Sequence, residues 1–130
     1  MKVITTWMKN REFESKQETN TIKLDGDKQN GFGPKALLLA GLAGCSGIDV
    51  IDILEKMKVE FSHFTIDAEA GQTEEHPKVF KDILITYRLK TTSDNEIKVK
   101  KAIELSLDKY CGVSAMLKKN SHIDYKLIIE

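Results

Sequence analysis

PKALLLAGLAGCSGIDVIDILEKM, Pro34 to Met57, decides the fold. It opens on a proline suited to the first helical position, stays apolar on every side for three turns, and carries Gly41, Gly44 and Gly47 inside the helix. Each of those glycines costs about 1 kcal/mol relative to alanine in a helix interior. Small residues recover that loss by letting another helix approach closely, or by leaving room beside Cys45 for a ligand. A helix apolar all round is expected to be buried all round, and one sheet covers only one face. The rest is covered either by the domain's own second helix or by a second copy of the chain, since most soluble oligomers are symmetric homo-oligomers.

Upstream of this helix, KVITTW and TIKLD alternate apolar with polar and predict half-buried strands, with MKNREFES turning into another short strand between them. DGDKQNGFGP is a glycine-punctuated loop. Downstream, VEFSHFTIDAEAG and KVFKDILITYRLKT are longer strands joined by a polar turn at QTEEHP. In the second, Val79, Ile83, Ile85, Tyr87 and Leu89 share a face, and Arg88 points the other way. SDNE, Ser93 to Glu96, has the spacing of a capping box with Ser93 as N-cap, predicting a helix to about Lys109. The chain breaks near Tyr110, restarts as CGVSAMLKK and closes with the strand IDYKLIIE. That order predicts an α+β fold, a mainly antiparallel sheet packed with the long helix and a second helix pair. No repeat or linker interrupts residues 1–130, which read as a single domain.

Acidic and basic residues balance to zero net charge, so nothing points to nucleic acid, and KVKK at Lys98 to Lys101 reads as a solvated helix face. The apolar run Ala36 to Ile48 is short for a bilayer and is followed at once by Asp49 and Asp52. The start, MKVITTWMKN, lacks the apolar core of a signal peptide. The expected address is cytoplasmic, without a membrane partner, where two cysteines are not by default a structural disulfide.

Cys45 has Gly41, Leu42, Ile48 and Asp49 as helical neighbours, and such surroundings raise a thiol pKa. Cys111 lies where a short helix starts, and backbone N–H groups there favour a thiolate. Local physics therefore makes Cys111 the better thiolate and Cys45 the more buried partner. Two inert core cysteines fit the same residues. His63, His76 and His122 lack metal-ligand spacing. Asp49 and Asp52 share a face with Cys45, either orienting a cation near it or marking where the helix meets solvent.

GPKALLLAGLAGCSGIDVIDILEK, together with DKYCGVSAML around Cys111, resembles the OsmC family, which includes the organic hydroperoxide resistance (Ohr) proteins, and within it the YhfA-like branch. The resemblance extends over essentially the whole chain. It implies an intertwined homodimer with active sites at the subunit interface and thiol-dependent peroxidase activity on organic hydroperoxides. It implies that Cys45 attacks the peroxide and becomes a sulfenic acid, and that Cys111 resolves it to a disulfide, reversing the local ranking of the thiols. It implies no bound cofactor, only an external dithiol reductant, often lipoyl.

The family's peroxidases hold an arginine against the reactive thiol through a glutamate ten positions before it; here that position is Lys35. Lysine lacks the planar fork of arginine. Of the two arginines, Arg11 is the candidate activating cation, and Arg88 is expected to face solvent. Gly112 follows the second cysteine where many relatives have proline. The alternative to an oxidoreductase is a non-catalytic dimer of the same fold, binding a small hydrophobic ligand in the interface pocket.

Overall fold

The computed structural model describes all 130 residues, and its internal contacts divide the chain into two units, Met1–Leu39 and Ala40–Glu130.

The first unit is an antiparallel meander of β1 (Ile4–Lys9), β2 (Glu12–Gln17) and β3 (Asn20–Asp25), in that spatial order. Tight turns bring Asn10 and Glu18 to positive φ, at 49° and 54°. The register pairs Thr5 with Ser15, Trp7 with Phe13, Phe13 with Leu24 and Ser15 with Ile22. Trp7, Phe13, Ile22 and Leu24 therefore share one face, because successive residues of a strand point to opposite sides. Three of them remain exposed: Trp7 at 62%, Phe13 at 40% and Ile22 at 51%. Asp25 ends β3 and organises the loop that follows. Its carboxylate accepts the backbone N–H groups of Asp27, Gln29 and Asn30 at 2.8, 3.2 and 3.0 Å. Those three bonds hold its pKa below the ordinary carboxylate range.

Helix α1 (Pro34–Lys56) starts in the first unit and continues into the second. At 23 residues and a mean hydropathy of 1.9 over its most apolar stretch, it has the length and composition of a membrane span, which the shorter Ala36–Ile48 run does not. Its packing tells what that apolarity does. Leu42, Ser46, Gly47, Val50 and Leu54 are buried, a single stripe at helical spacing. The expectation of burial on all sides is therefore corrected. Gly41 and Gly44 have open space where a side chain would be, Ile48 is 63% exposed, and Ile51 is 37% exposed. Only Gly47 is needed for close packing, since a Cβ there would lie 2.9 Å from Cδ1 of Ile66.

The second unit's sheet has the order β4 (Ser62–Gln72), β5 (Phe80–Lys90), β6 (His122–Ile129). A loop with a cis His76–Pro77 bond joins β4 to its antiparallel neighbour β5. Strand β6 runs parallel to β5, so this sheet is mixed and not purely antiparallel. Two helices, α2 (Glu96–Leu105) and α3 (Gly112–Lys118), carry the chain back to make that crossover. Ile83, Ile85, Tyr87 and Leu89 of β5 are buried as their alternation predicts, while Val79 lies outside the strand and is 37% exposed. The Tyr87 ring stacks on Phe64 and meets Tyr125 edge to face. Arg88 points the other way and pairs with Asp67 on β4.

The entry to α2 differs from the predicted capping box. Ser93–Asn95 form a turn of 3₁₀ helix, Asn95 occupies the N-cap, and neither Thr92 nor Asn95 makes a side-chain cap bond. The tighter turn takes up the residues that the box would have used, and Asn95 instead donates to the hydroxyls of Thr91 and Thr92. The far end of α2 passes into a π turn, Ser106–Tyr110, before α3 begins. The break expected near Tyr110 is therefore real, and it is a change of helical pitch.

Candidate functional site

Cys45 lies on α1 within the second unit, and Cys111 is the N-cap of α3. The π turn places Cys111: its N–H donates to the Ser106 carbonyl at 2.7 Å, five residues back, and leaves it extended with φ −75° and ψ 106°. From there its Sγ accepts the Ser114 N–H at 3.3 Å, the helix-start contact expected from the sequence. The two thiols are free and not at disulfide distance, and Cys45 is among the groups that surround Cys111.

Their burial inverts the expectation from local sequence. Cys111 is buried, at 3% exposure, and Cys45 is partly accessible. Burial pushes the Cys111 thiol above its ordinary pKa; the Ser114 N–H works against that shift and the neighbouring Cys45 adds to it. The helix-start N–H acts in the expected direction, but desolvation of the buried sulfur outweighs that one contact. A partly open Cys45 beside a sheltered Cys111 suits an attacking thiol and a resolving one.

Two serines that the sequence did not single out, with Tyr87 from the inward face of β5, organise this region. Ser46 on α1 meets the Tyr87 hydroxyl at 2.6 Å, and Ser106 Oγ lies 2.9 Å from Ser46 Oγ and 3.0 Å from the Asp49 carboxylate. Tyr87, Ser46 and Ser106 are all fully buried. Ser106 Oγ is the donor, with the Ser46 hydroxyl and the Asp49 carboxylate both within reach of its hydrogen, and in the Ser46–Tyr87 bond either hydroxyl can donate. Burial raises Tyr87 to about 12, so its phenol stays protonated across the physiological range. A signal for these residues does exist in the sequence: Ser46 and Ser106 are hydroxyls on otherwise apolar helix faces. Both acids after Cys45 line an open cleft with Ile53, Lys56 and Tyr110, but only Asp49 also joins this network, and Asp52 is exposed.

Arg11 belongs to the first unit. Its guanidinium lies over Gly26, where a Cβ would come within 2.6 Å of Nε, and it reaches the Gly26 carbonyl and Asp27 at 3.5 Å. It stays largely exposed and forms part of the rim of an apolar cleft of about 450 Å³ with Trp7, Phe13, Leu24 and Pro34. The other arginine, Arg88, is occupied by Asp67. His63 and His122 are exposed and bond to Ser62 and Asp124.

Comparison with known proteins identifies the family and the fold. A family model described as OsmC-like protein matches residues 25–126. Protein YhfA of Escherichia coli K12 is 30% identical over 105 residues, covering 80% of this chain and 78% of the relative. The crystal structure of a hypothetical protein from Aquifex aeolicus VF5 superposes with a TM-score of 0.84 at 31% identity, covering 99% of this chain and 96% of the other. An organic hydroperoxide resistance protein from Elizabethkingia anophelis shares the fold at a TM-score of 0.72 and 14% identity, covering 100% and 97%.

Proposed function

The chain belongs to the OsmC-like protein family, and on that premise we propose that it is a two-thiol oxidoreductase that reduces organic hydroperoxides. One observation carries the proposal. Two cysteines far apart in the sequence are neighbours in the second unit, both free, one accessible and one sheltered. The resistance proteins with the same fold support the choice of substrate class.

In the proposed cycle the Cys45 thiolate attacks the outer peroxide oxygen, the O–O bond breaks, and the alcohol leaves with a proton. Cys45 is then a sulfenic acid. Cys111 attacks that sulfur, forming the Cys45–Cys111 disulfide and releasing water. An external dithiol reduces the disulfide by exchange and is itself oxidised. Desolvation keeps Cys111 protonated until this second step, which limits its competition for peroxide.

The active form in this proposal is a homodimer, with the sites completed at the subunit interface. Two features support assembly: the exposed stripe of Gly41, Gly44, Ile48 and Ile51 on α1, and the uncovered apolar face of the first unit's sheet. Arg11, on the rim of that face, is the proposed activating cation. A guanidinium favours a thiolate and can hold a peroxide oxygen at the same time. The cleft beside Arg11 also favours a second reading, a dimer that holds a small hydrophobic ligand without turnover.

The test mixes purified protein with cumene hydroperoxide and a dithiol such as dihydrolipoamide. Peroxide loss and a Cys45–Cys111 disulfide by mass spectrometry are expected. Neither appearing would replace this proposal with the ligand-binding one.

A further inference from the structure

We propose that Ser46 and Ser106 are positioning residues for the thiol pair, their hydroxyl–hydroxyl bond holding the helix that carries Cys45 against the turn that delivers Cys111. The proposal rests on the two-thiol reading above and goes beyond it by naming what sets the thiols' mutual placement. Ser46 directly follows Cys45 in α1. Ser106 Oγ lies 2.9 Å from Ser46 Oγ, and the Ser106 carbonyl takes the Cys111 N–H at 2.7 Å. One serine thus carries both links, its side chain reaching the Cys45 helix and its main chain reaching Cys111. The π turn allows this, because its five-residue closure returns Cys111 to the residue that touches α1.

The ends of the hydrogen-bonded chain are tied as well. Tyr87 holds Ser46 from the sheet, and the Asp49 carboxylate, one turn further along α1, accepts a hydrogen bond from the Ser106 hydroxyl. No buried side-chain polar atom lacks a partner. Such a network specifies one arrangement of its elements, where apolar packing alone tolerates sliding. Leu42, Val50 and Leu54 form the apolar part of the same buried stripe of α1, while the Ser106 hydroxyl ties that helix, at Ser46 and Asp49, to the residue that takes the Cys111 N–H.

The effective concentration of one thiol at the other is what thiol–disulfide exchange measures. Oxidised dithiothreitol gives up its S–S bond as a Cys45–Cys111 bond forms; two electrons and two protons pass from the protein thiols to the reagent. The equilibrium constant of that exchange is to be measured for the wild type, Ser46→Ala, Ser106→Ala, Ser106→Thr and Val50→Ala. The alanine variants at Ser46 and Ser106 should each lower the constant about tenfold, which for a two-electron couple is a potential about 30 mV less negative. Ser106→Thr keeps the hydroxyl and should stay within about twofold of the wild type. Val50 is fully buried on the same face of α1, so Val50→Ala should lower the melting temperature and leave the constant in place.

A wild-type protein that forms no Cys45–Cys111 disulfide at any reagent ratio overturns the two-thiol reading and this proposal with it. A wild-type disulfide with unchanged constants in both serine variants overturns only this proposal. So does an equal shift in Val50→Ala, which would make the effect one of general packing. If the serine variants do not fold, Tyr87→Phe replaces them: it withdraws the hydroxyl that holds Ser46 and should lower the constant about threefold, and an unchanged constant overturns the proposal.

Discussion

Ser46 of α1 and Tyr87 of β5 meet hydroxyl to hydroxyl at 2.6 Å, with no solvent exposure on either residue. This bond fastens the helix of Cys45 to the central strand of the sheet. Tyr87→Phe removes one buried hydrogen bond and should cost about 1 kcal/mol of stability, measured by urea unfolding with an unchanged m-value. The same variant should alter alkaline unfolding. Tyr87 titrates near 10 when unfolded and at about 12 when folded. Its contribution is fully present below pH 10 and is lost as the pH rises towards 12. The variant should lose less stability than the wild type over that interval.

The two thiols should separate kinetically. Cys45 is accessible, whereas Cys111 is buried and its pKa is raised by burial. At pH 7.5, iodoacetamide should label Cys45 at least ~10-fold faster than Cys111, since the thiolate reacts and the thiol does not. Peptide mass spectrometry reads both rates in one sample. Equal rates would argue against a sheltered resolving thiol.

Turnover should depend on the two cysteines in different ways. Cys45→Ser should abolish peroxide consumption. Cys111→Ser should leave one oxidation event at Cys45, trapped by dimedone as a sulfenic acid, with no intramolecular disulfide on non-reducing gels. A Cys111→Ser protein in which dimedone traps nothing at Cys45 would contradict the assigned order of attack.

Assembly should depend on the exposed stripe of α1. Ile48 is 63% exposed in the single chain, and no side chain fills the space at Gly41 and Gly44. Ile48→Asp should shift the sedimentation coefficient from dimer to monomer while far-UV circular dichroism stays unchanged, because a buried unpaired carboxylate is strongly disfavoured. Gly44→Ala provides a second reading of the same face. It should gain about 0.8–1 kcal/mol of helix propensity in a monomer, yet weaken association if helices approach closely there.

Acid stability should report Asp25. Its three backbone N–H bonds hold its folded pKa below the unfolded value of about 3.9. The stabilisation is therefore present above that value and is lost as pH falls through the lower folded pKa. Asp25→Asn should lower the urea midpoint at pH 7, and the gap to the wild type should narrow below pH 4. A gap that does not narrow would mean that the charge of Asp25 contributes nothing to the loop.

Much of the architecture was legible because it follows from short-range periodicity. The alternation of Ile83, Ile85, Tyr87 and Leu89 predicts an inward-facing strand, and those residues are buried. Pro34 opens the long helix, and the break before Cys111 is where the pitch changes. Ser93 and Glu96 had the spacing of a cap, but a 3₁₀ turn consumed those positions. A capping box is a local preference worth about 1 kcal/mol, small enough for the connection between β5 and α2 to override it.

What the sequence determined by itself is the set of elements, their order and the placement of Cys111 at a helix start, all set by residues a few positions apart. Only the tertiary structure decided which thiol is sheltered, which face of α1 is covered, and that Ser46, Asp49, Tyr87 and Ser106 form one hydrogen-bonded chain. The reason is physical. Desolvation and hydroxyl pairing depend on what other elements bring alongside a side chain, and three separate elements supply that chain.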